Sequence, residues 1–230
     1  MATKIDLAKY ARDCLQKREQ NKTSLSPGPV VTISREFGCP GKKIALELTD
    51  AINKKKKRDK WCWVSKEILA ESADQLGLNP GEIQYVFDYE KRGIIDEIIA
   101  AQTRKYHRSD KKIRNTIGKV IKKIAETGNV IIVGRGGAAI ANDIKNSLHI
   151  KLIGDIEWRA KNVGERHNMD IDEAIQFTLD YDKKRKKFLD YYRGKTSDNS
   201  IFDLIYNCST ISSEDIVTSI IHILERRKIL

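Results

Sequence analysis

A strand, a glycine-containing turn and a helix follow one another in residues 30–48, VVTISREFGCPGKKIALEL, and this order constrains the fold most strongly. It is typical of a phosphate-binding loop, because glycines let backbone N–H groups approach an anion at a helix N-terminus. The nucleotide-binding pattern G-x-x-x-x-G-K-[ST] fits in part. Gly41 and Lys42 match it, whereas Glu36 takes the first glycine position and Lys43 the Ser/Thr position. The sequence thus predicts a phosphate loop without the hydroxyl that usually binds Mg²⁺.

Strand and helix patterns alternate along the rest of the chain. Short strands are expected at VVTIS, WCWVS, NVIIV, SLHIKLI and DLIYNCS, and the continuous apolar run NVIIV is typical of a strand inside a parallel sheet. The stretch from Ser65 to about Glu126 has a helical pattern throughout, with Ser109 and Asp110 expected to cap its last helix. These patterns predict an α/β fold with a doubly wound parallel sheet of about five strands.

Composition divides the chain into an N-terminal appendage and one body. Residues 1–28 hold a predicted amphipathic helix and a polar linker, and that helix is a candidate surface for homo-oligomer formation. The body, 29–230, carries a helical insertion at about 65–126 and a basic segment at about 160–195. In a doubly wound sheet both would cover one cleft at the carboxyl ends of the strands.

The charge of the chain favours anionic ligands. Its formal net charge is +11, from 43 Lys and Arg against 32 Asp and Glu, so its surface attracts nucleotides, polyphosphates or nucleic acid. The basic residues fall in blocks instead of alternating with aromatic residues, which makes a nucleic-acid partner the less favoured reading.

Cysteine spacing and hydropathy exclude several other classes of protein. The four cysteines are far apart and contain no C-x-x-C pair, which argues against a zinc site and a disulfide framework, so no metal-binding residue is predicted. No apolar stretch is long enough to span a membrane and no secretion signal is indicated. We therefore expect a cytoplasmic protein without a membrane partner.

A second glycine junction follows NVIIV, where Gly134, Arg135 and Gly136 lead into a predicted helix. Arg135 has the geometry to hold an anion with two parallel hydrogen bonds, although a structural ion pair within the sheet is the alternative. Lys42 is expected at a phosphate because a lysine at a helix N-terminus is unfavourable without an anion, the alternative being an exposed lysine. Arg159 and Arg166 are either cations of the cover or part of a solvated helix face.

Four stretches in a fixed order resemble the cytidylate kinase-like proteins, which are relatives of the P-loop kinases. They are TISREFGCPGKKIA at 32–45, NVIIVGRGGAAI at 129–140, LHIKLIGDIEWRAKNV at 148–163, and DKKRKKFLDYY with FDLIYNCSTIS between 182 and 212. Together they span nearly everything from Val30 onward.

The resemblance implies transfer of the ATP γ-phosphoryl group to a nucleoside monophosphate such as CMP, with Mg²⁺ as a cofactor whose ligands are unassigned. It implies that the helical insertion binds the monophosphate and that the basic segment is a lid. The expected ATP phosphate ligands are Ser34, Gly38, Gly41, Lys42 and Lys43. The expected acceptor ligands are Gly134, Arg135 and Gly136. The expected catalytic residues are Lys42, Arg159, Asp182 and Arg185.

The unusual loop keeps two other functions open. Without a hydroxyl at Lys43 and with an acidic Glu36, the chain could bind nucleotide as a sensor without appreciable turnover. A nucleic-acid-binding protein that uses the basic surface is the third hypothesis.

Overall fold

The computed structural model describes residues 29–65 and 104–230. Its strands are β1 Val30–Arg35, β2 Cys62–Val64, β3 Val130–Val133, β4 Ser147–Ile153 and β5 Leu204–Asn207. Its helices are α1 Gly41–Lys55, α2 Arg104–Thr127, α3 Gly137–Ile140, α4 Ile156–His167, α5 Ile171–Arg193 and α6 Ser213–Arg226, with a 3₁₀ turn at Asn199–Ile201. The predicted N-terminal helix and linker, and the part of the insertion between 66 and 103, lie outside the described residues.

Within the described residues, five strands form one parallel sheet in the order β2-β3-β1-β4-β5. This arrangement confirms the predicted doubly wound α/β fold. Strand β1 lies in the middle, because the chain adds β2 and β3 on one side of it and β4 and β5 on the other. The loops after β1 and β3 consequently leave neighbouring strands at the same edge of the sheet, which is where such folds bind ligands.

Helices cover both faces of the central strands. On one face, Val31 and Ile33 of β1 belong to a buried apolar core with residues of α1 and α6, among them Ile44, Leu48, Ile216 and Ile220. On the other face, Gly137 of α3 packs so closely that a Cβ there would lie 3.1 Å from Ile132. Burial of Val30–Ile33 and of all of β3 leaves these strands little freedom to shift, so the two glycine junctions start from fixed points.

The helices differ from the sequence prediction mainly at their ends. Helix α2 begins at Arg104, so Ser109 and Asp110 lie inside it and the expected cap there is wrong. The basic segment forms α4 and α5, each started by an aspartate whose carboxylate accepts N–H groups of the first turn, Asp155 for α4 and Asp170 for α5. Within the two described ranges, no helix is both long and apolar enough to cross a membrane.

Candidate functional site

The turn between β1 and α1 is held largely by its own backbone. The Cys39 N–H donates to the Glu36 carbonyl at 3.3 Å, and the Gly41 N–H donates to the Cys39 carbonyl at 2.9 Å. Gly38 has φ of +90° and packs against α4, where a Cβ would lie 2.7 Å from the Arg159 carbonyl oxygen, so only glycine fits. Binding a phosphate through these N–H groups would require the turn to open.

Glu36, which replaces the first glycine of the usual pattern, points to the end of β4. Its Oε2 accepts a hydrogen bond from the Gly154 N–H at 3.2 Å and lies 3.4 Å from Arg159 Nε. The arginine therefore compensates the negative charge that the sequence places beside the expected anion site. Glu36 ties the turn to the junction between β4 and α4.

Arg159 is the centre of this network. Its side chain is only 7% exposed, and it donates to the Gly154 carbonyl at 2.9 Å, to the Phe37 carbonyl at 3.1 Å and to Asp182 Oδ2 at 2.5 Å. A buried guanidinium with two carboxylates and two carbonyls around it has most of its donors engaged. The geometry makes Arg159 a positioning residue for the turn. Arg166, by contrast, is exposed on α4.

Helix α5 lies over the turn through Asp182 and Arg185. Asp182 Oδ1 accepts the Phe37 N–H at 2.7 Å, while its Oδ2 pairs with Arg159. Arg185 Nη1 donates to the Arg35 carbonyl at 3.1 Å, and its guanidinium carbon lies 4.9 Å from the centre of the Phe37 ring. The ring of Phe37 also lies 4.4 Å from that of Tyr181, centre to centre. The two residues that the sequence places on one helix face therefore both contact the turn.

Lys42 and Lys43 occupy the first turn of α1, and both are exposed. Lys43 Nζ lies 3.8 Å from Glu47 Oε1, with 63% of the Lys43 side chain exposed. Ser34 is half-buried in β1, opposite Lys151 of β4, one residue before the strand ends. The start of α1 thus carries two cationic side chains, and Ser34 places its hydroxyl near the end of β1.

The second junction is a left-handed turn. Gly134, Arg135 and Gly136 have φ of +76°, +56° and +70°. The Gly134 N–H donates to the Ile33 carbonyl at 2.9 Å, which attaches the turn to β1. Turns with left-handed backbone can group N–H donors into concave anion sites, and phosphate binding by Gly134, Arg135 and Gly136 stays a prediction.

Arg35, which the sequence analysis did not single out, joins the two junctions. A Cβ on Gly41 would lie 3.3 Å from Arg35 Cδ, and a Cβ on Gly134 would lie 1.8 Å from Arg35 Nη1. The side chain of Arg35 therefore runs from the start of α1 to the left-handed turn after β3. In the sequence, the feature that could have singled out Arg35 is its position at the very end of the strand that precedes the loop.

Tyr192 connects the far end of α5 to the second junction. Its ring packs on two glycines, where a Cβ would approach it to 2.6 Å at Gly136 and 2.8 Å at Gly118. Its hydroxyl donates to the Arg114 carbonyl at 2.7 Å. Burial raises the pKa of Tyr192 well above its ordinary value, so the hydroxyl stays a donor. Helices α2 and α5 and the left-handed turn therefore meet at one side chain.

The thiol of Cys39 in the loop is buried. A hydrogen bond with Cys208, together with burial, raises the pKa of Cys39 far above its ordinary value. Because the thiolate is the nucleophile, Cys39 is expected to act only in packing.

The residues around the loop do not form a metal site of their own. Over the ranges 29–65 and 104–230, no group of three or more His, Cys, Asp or Glu residues could hold a metal ion. The nearby carboxylates of Glu36 and Asp182 are both paired with Arg159. The chain therefore does not fit a preformed Mg²⁺ centre at this position.

A cavity of about 370 Å³ lies at the opposite edge of the sheet, where β4 and β5 begin. His149 lines it and is buried, with Nδ1 2.8 Å from Thr32 Oγ1 and Nε2 3.1 Å from Ser147 Oγ. Both ring nitrogens are thus engaged within the fold. Burial lowers the pKa of His149.

Comparison with known proteins identifies relatives along most of the chain. Residues 30–210 match the model of the cytidylate kinase-like family. The chain is 32% identical to a cytidylate kinase of Sulfolobus acidocaldarius over 121 residues, which is 52% of this chain and 64% of that protein. It is 32% identical to a cytidylate kinase of Methanocaldococcus jannaschii over 108 residues, 46% of this chain and 61% of that protein. The matches therefore span less than two thirds of the length of these relatives.

Solved structures that resemble the described fold include the following one. It is an uncharacterized protein from Eubacterium ventriosum, with a TM-score of 0.61 and 22% identity, and the match covers 86% of this chain and 98% of that one. At this identity the likeness concerns the fold alone.

Proposed function

Because the chain belongs to the cytidylate kinase-like family, we propose that it transfers the γ-phosphoryl group of ATP to a nucleoside monophosphate, with CMP as the leading acceptor. One observation carries the proposal. The two glycine junctions leave the neighbouring strands β1 and β3, and the side chain of Arg35 touches both. Two phosphate-binding turns so close together suit a reaction that passes a phosphoryl group between two bound phosphates.

The donor side of the proposed site is the start of α1. Lys42 and Lys43 are exposed there, and the helix dipole favours an anion at the same end. Gly38 and Gly41 add no side chains to the turn, where Arg159 and Arg35 pack against them, and Ser34 precedes the turn on β1. We expect the ATP phosphates to compete with the internal hydrogen bonds of the turn, above all with Asp182 at the Phe37 N–H.

The acceptor side is the left-handed turn of Gly134, Arg135 and Gly136. The phosphate of the monophosphate would be held by backbone N–H groups and by the fork of Arg135. Helix α5 would act as the lid, with Arg185 closing on the transferring group and Asp182 and Arg159 setting the position of the turn. The protein contributes mostly such positioning, because phosphoryl transfer from donor to acceptor requires little covalent chemistry from the protein.

Mg²⁺ is expected to reach this site bound to the nucleotide. Since the nearby carboxylates are paired with Arg159, phosphate oxygens and water would supply the ligands. The metal would neutralise charge on the phosphates, and no step of the proposal depends on a protein ligand for it.

The expected partners are nucleotides, and a cytoplasmic location and self-association through residues 1–28 remain predictions.

A nucleotide sensor with little turnover is the second candidate. It is favoured by the internal hydrogen bonds of the turn and by the lysine in place of the metal-binding hydroxyl. The two functions separate in one experiment on the full chain. A panel of nucleoside monophosphates is assayed for ADP production from ATP, and binding of ATP is followed by calorimetry.

The kinase proposal predicts ADP formation that depends on the monophosphate and is fastest with a pyrimidine acceptor. Binding of ATP without acceptor-dependent ADP formation would support the sensor instead. A short nucleic acid duplex, titrated at two salt concentrations, is the third arm. Salt-sensitive duplex binding without any nucleotide binding would contradict both candidates.

A further inference from the structure

We propose that Arg35 is a catalytic residue of this reaction, a cation that contacts the phosphoryl group as it passes from donor to acceptor. The inference rests on the proposed function. It concerns a residue that belongs to neither of the glycine motifs and that takes no part in the usual nucleotide-binding pattern.

The position of Arg35 carries the argument. The side chain lies along Gly41, where a Cβ would be 3.3 Å from its Cγ and Cδ, and its Nη1 lies on Gly134, where a Cβ would be 1.8 Å away. Any residue other than glycine at position 134 would push the guanidinium aside. Because Gly41 and Gly134 have no side chains, the side chain of Arg35 extends from the donor turn to the acceptor turn.

Arg35 is also fixed by the strand that carries it. It is the last residue of β1 and pairs in register with Leu152 of β4. Its carbonyl accepts the hydrogen bond from Arg185 Nη1 of the lid helix. Placed on a central strand instead of a loop, its guanidinium is held near one position before any substrate binds, which is what electrostatic stabilisation of a transition state requires.

The chemistry at this position suits a guanidinium. In the transfer, the bond between the γ-phosphorus and the oxygen that bridges it to the β-phosphate breaks, and its electron pair leaves on ADP. An oxygen of the acceptor phosphate forms the new bond to the same phosphorus. The negative charge sits on the equatorial oxygens of the group in transit. Arg35 would donate hydrogen bonds to these oxygens and would transfer no proton, since arginine keeps its charge at all relevant pH values.

This role fits what the loop lacks. Lys43 stands where a metal-binding hydroxyl usually stands, and Arg159 is paired with Glu36 and Asp182. The site therefore has fewer groups that could neutralise the charge of the transferring phosphoryl. An arginine on the strand between the two turns adds a positive charge to that of Lys42, the lysine that the loop pattern retains.

The test compares the variants Arg35→Ala and Arg35→Lys with Arg226→Ala and Arg226→Lys on α6, an arginine remote from the sheet edge. We expect Arg35→Ala to lower kcat by about 100- to 1000-fold, the range for removal of one transition-state donor. Dissociation constants for ATP and CMP, measured by calorimetry, should stay within about threefold. Arg35→Lys should lose at least about tenfold in kcat, because an ammonium group is not a planar fork. Both Arg226 variants should match the wild type.

Two further measurements keep the proposal open to refutation. Added guanidinium ion should restore part of the turnover of Arg35→Ala and none of it in a Lys42→Ala variant. Gly134→Ala displaces the arginine without removing it and should also lower kcat. An active wild type with an Arg35→Ala kcat within about threefold of it would overturn the catalytic assignment alone. A wild type that binds ATP but never forms ADP would overturn the proposed function and the assignment with it.

Discussion

Replacement of Asp182 is expected to destabilise the protein measurably, because this carboxylate joins helix α5 to the turn after β1. One oxygen accepts the Phe37 N–H at 2.7 Å and the other pairs with Arg159 Nη1 at 2.5 Å. Asp182 is 24% exposed and Arg159 only 7%, so the pair is shielded from water on the arginine side. Asp182→Ala therefore leaves an N–H donor and part of a buried guanidinium without their partner.

The size of the effect follows from these contacts. Hydrogen bonds to a charged group contribute about 1.5–3 kcal/mol each, and removal of one partner of a buried pair costs about 3–5 kcal/mol. Glu36 remains 3.4 Å from Arg159 in the variant, which places the expected loss at the lower end, about 3 kcal/mol. Asp182→Asn keeps an acceptor for the Phe37 N–H and should lose about half as much.

Equilibrium unfolding in urea and thermal unfolding measure this loss. For a chain of this size, about 3 kcal/mol corresponds to a fall in Tm of about 6–12 °C. The matched control is Asp180→Asn on the same helix, where Asp180 is 62% exposed and lies 3.3 Å from Lys183. A pair this exposed should change the free energy of unfolding by less than about 0.5 kcal/mol. If Asp182→Ala and Asp180→Asn unfold alike, helix α5 is not held to the turn after β1 by this carboxylate.

Three shorter predictions concern the donor site, the second junction and the opposite edge of the sheet. Lys42→Ala should lower kcat/KM by about 100-fold or more in the ADP assay while Lys43→Ala changes it far less, because Lys42 fills the lysine position of the loop pattern, and equal effects would contradict this. Tyr192→Phe should lower the free energy of unfolding by about 1 kcal/mol in urea, because the Arg114 carbonyl loses a donor, and an unchanged midpoint would refute that bond. Burial holds the pKa of His149 below its ordinary 6.5. At a pH near 6.5 the unfolded chain therefore takes up a proton that the folded protein does not. Unfolding should consequently become easier as the pH falls through about 6.5. His149→Gln should remove that part of the difference in Tm between pH 7.5 and pH 5.5, and the same pH dependence in both proteins would contradict it.

The parts of the fold that the sequence predicts correctly are those set by local pattern. The apolar run NVIIV predicts a strand covered on both faces, and Val130–Val133 is fully buried in the sheet. The glycines after β1 and β3 mark turns because left-handed backbone is costly for other residues, and Gly38, Gly134 and Gly136 all have positive φ. The helix start predicted at Ser109 is wrong because α2 begins earlier. A serine has the same capping group inside a helix as at its start, so the residue type alone does not mark the boundary.

The contacts that define the candidate site join residues far apart in the sequence, and local pattern carries no signal for them. Arg159 meets the Phe37 carbonyl 122 residues away, and the Phe37 N–H meets Asp182 across 145 residues. The spacing of Asp182 and Arg185 correctly places both on one helix face, but not what that face contacts. Arg35 was missed because nothing in its neighbours distinguishes it until Gly41 and Gly134 are brought to either side of it.

The central claim is that the turns after β1 and β3 hold the two substrates of one phosphoryl transfer side by side. Calorimetry with a bisubstrate molecule, adenosine and cytidine joined through five phosphates, tests it directly. A single molecule that fills both turns loses its translational freedom once, whereas two separate ligands lose it twice. The account predicts one bound molecule per chain, a Kd at least about tenfold below that of ATP, and no further binding of ATP or CMP to the complex. Binding no tighter than that of ATP, with CMP still able to bind afterwards, would contradict it.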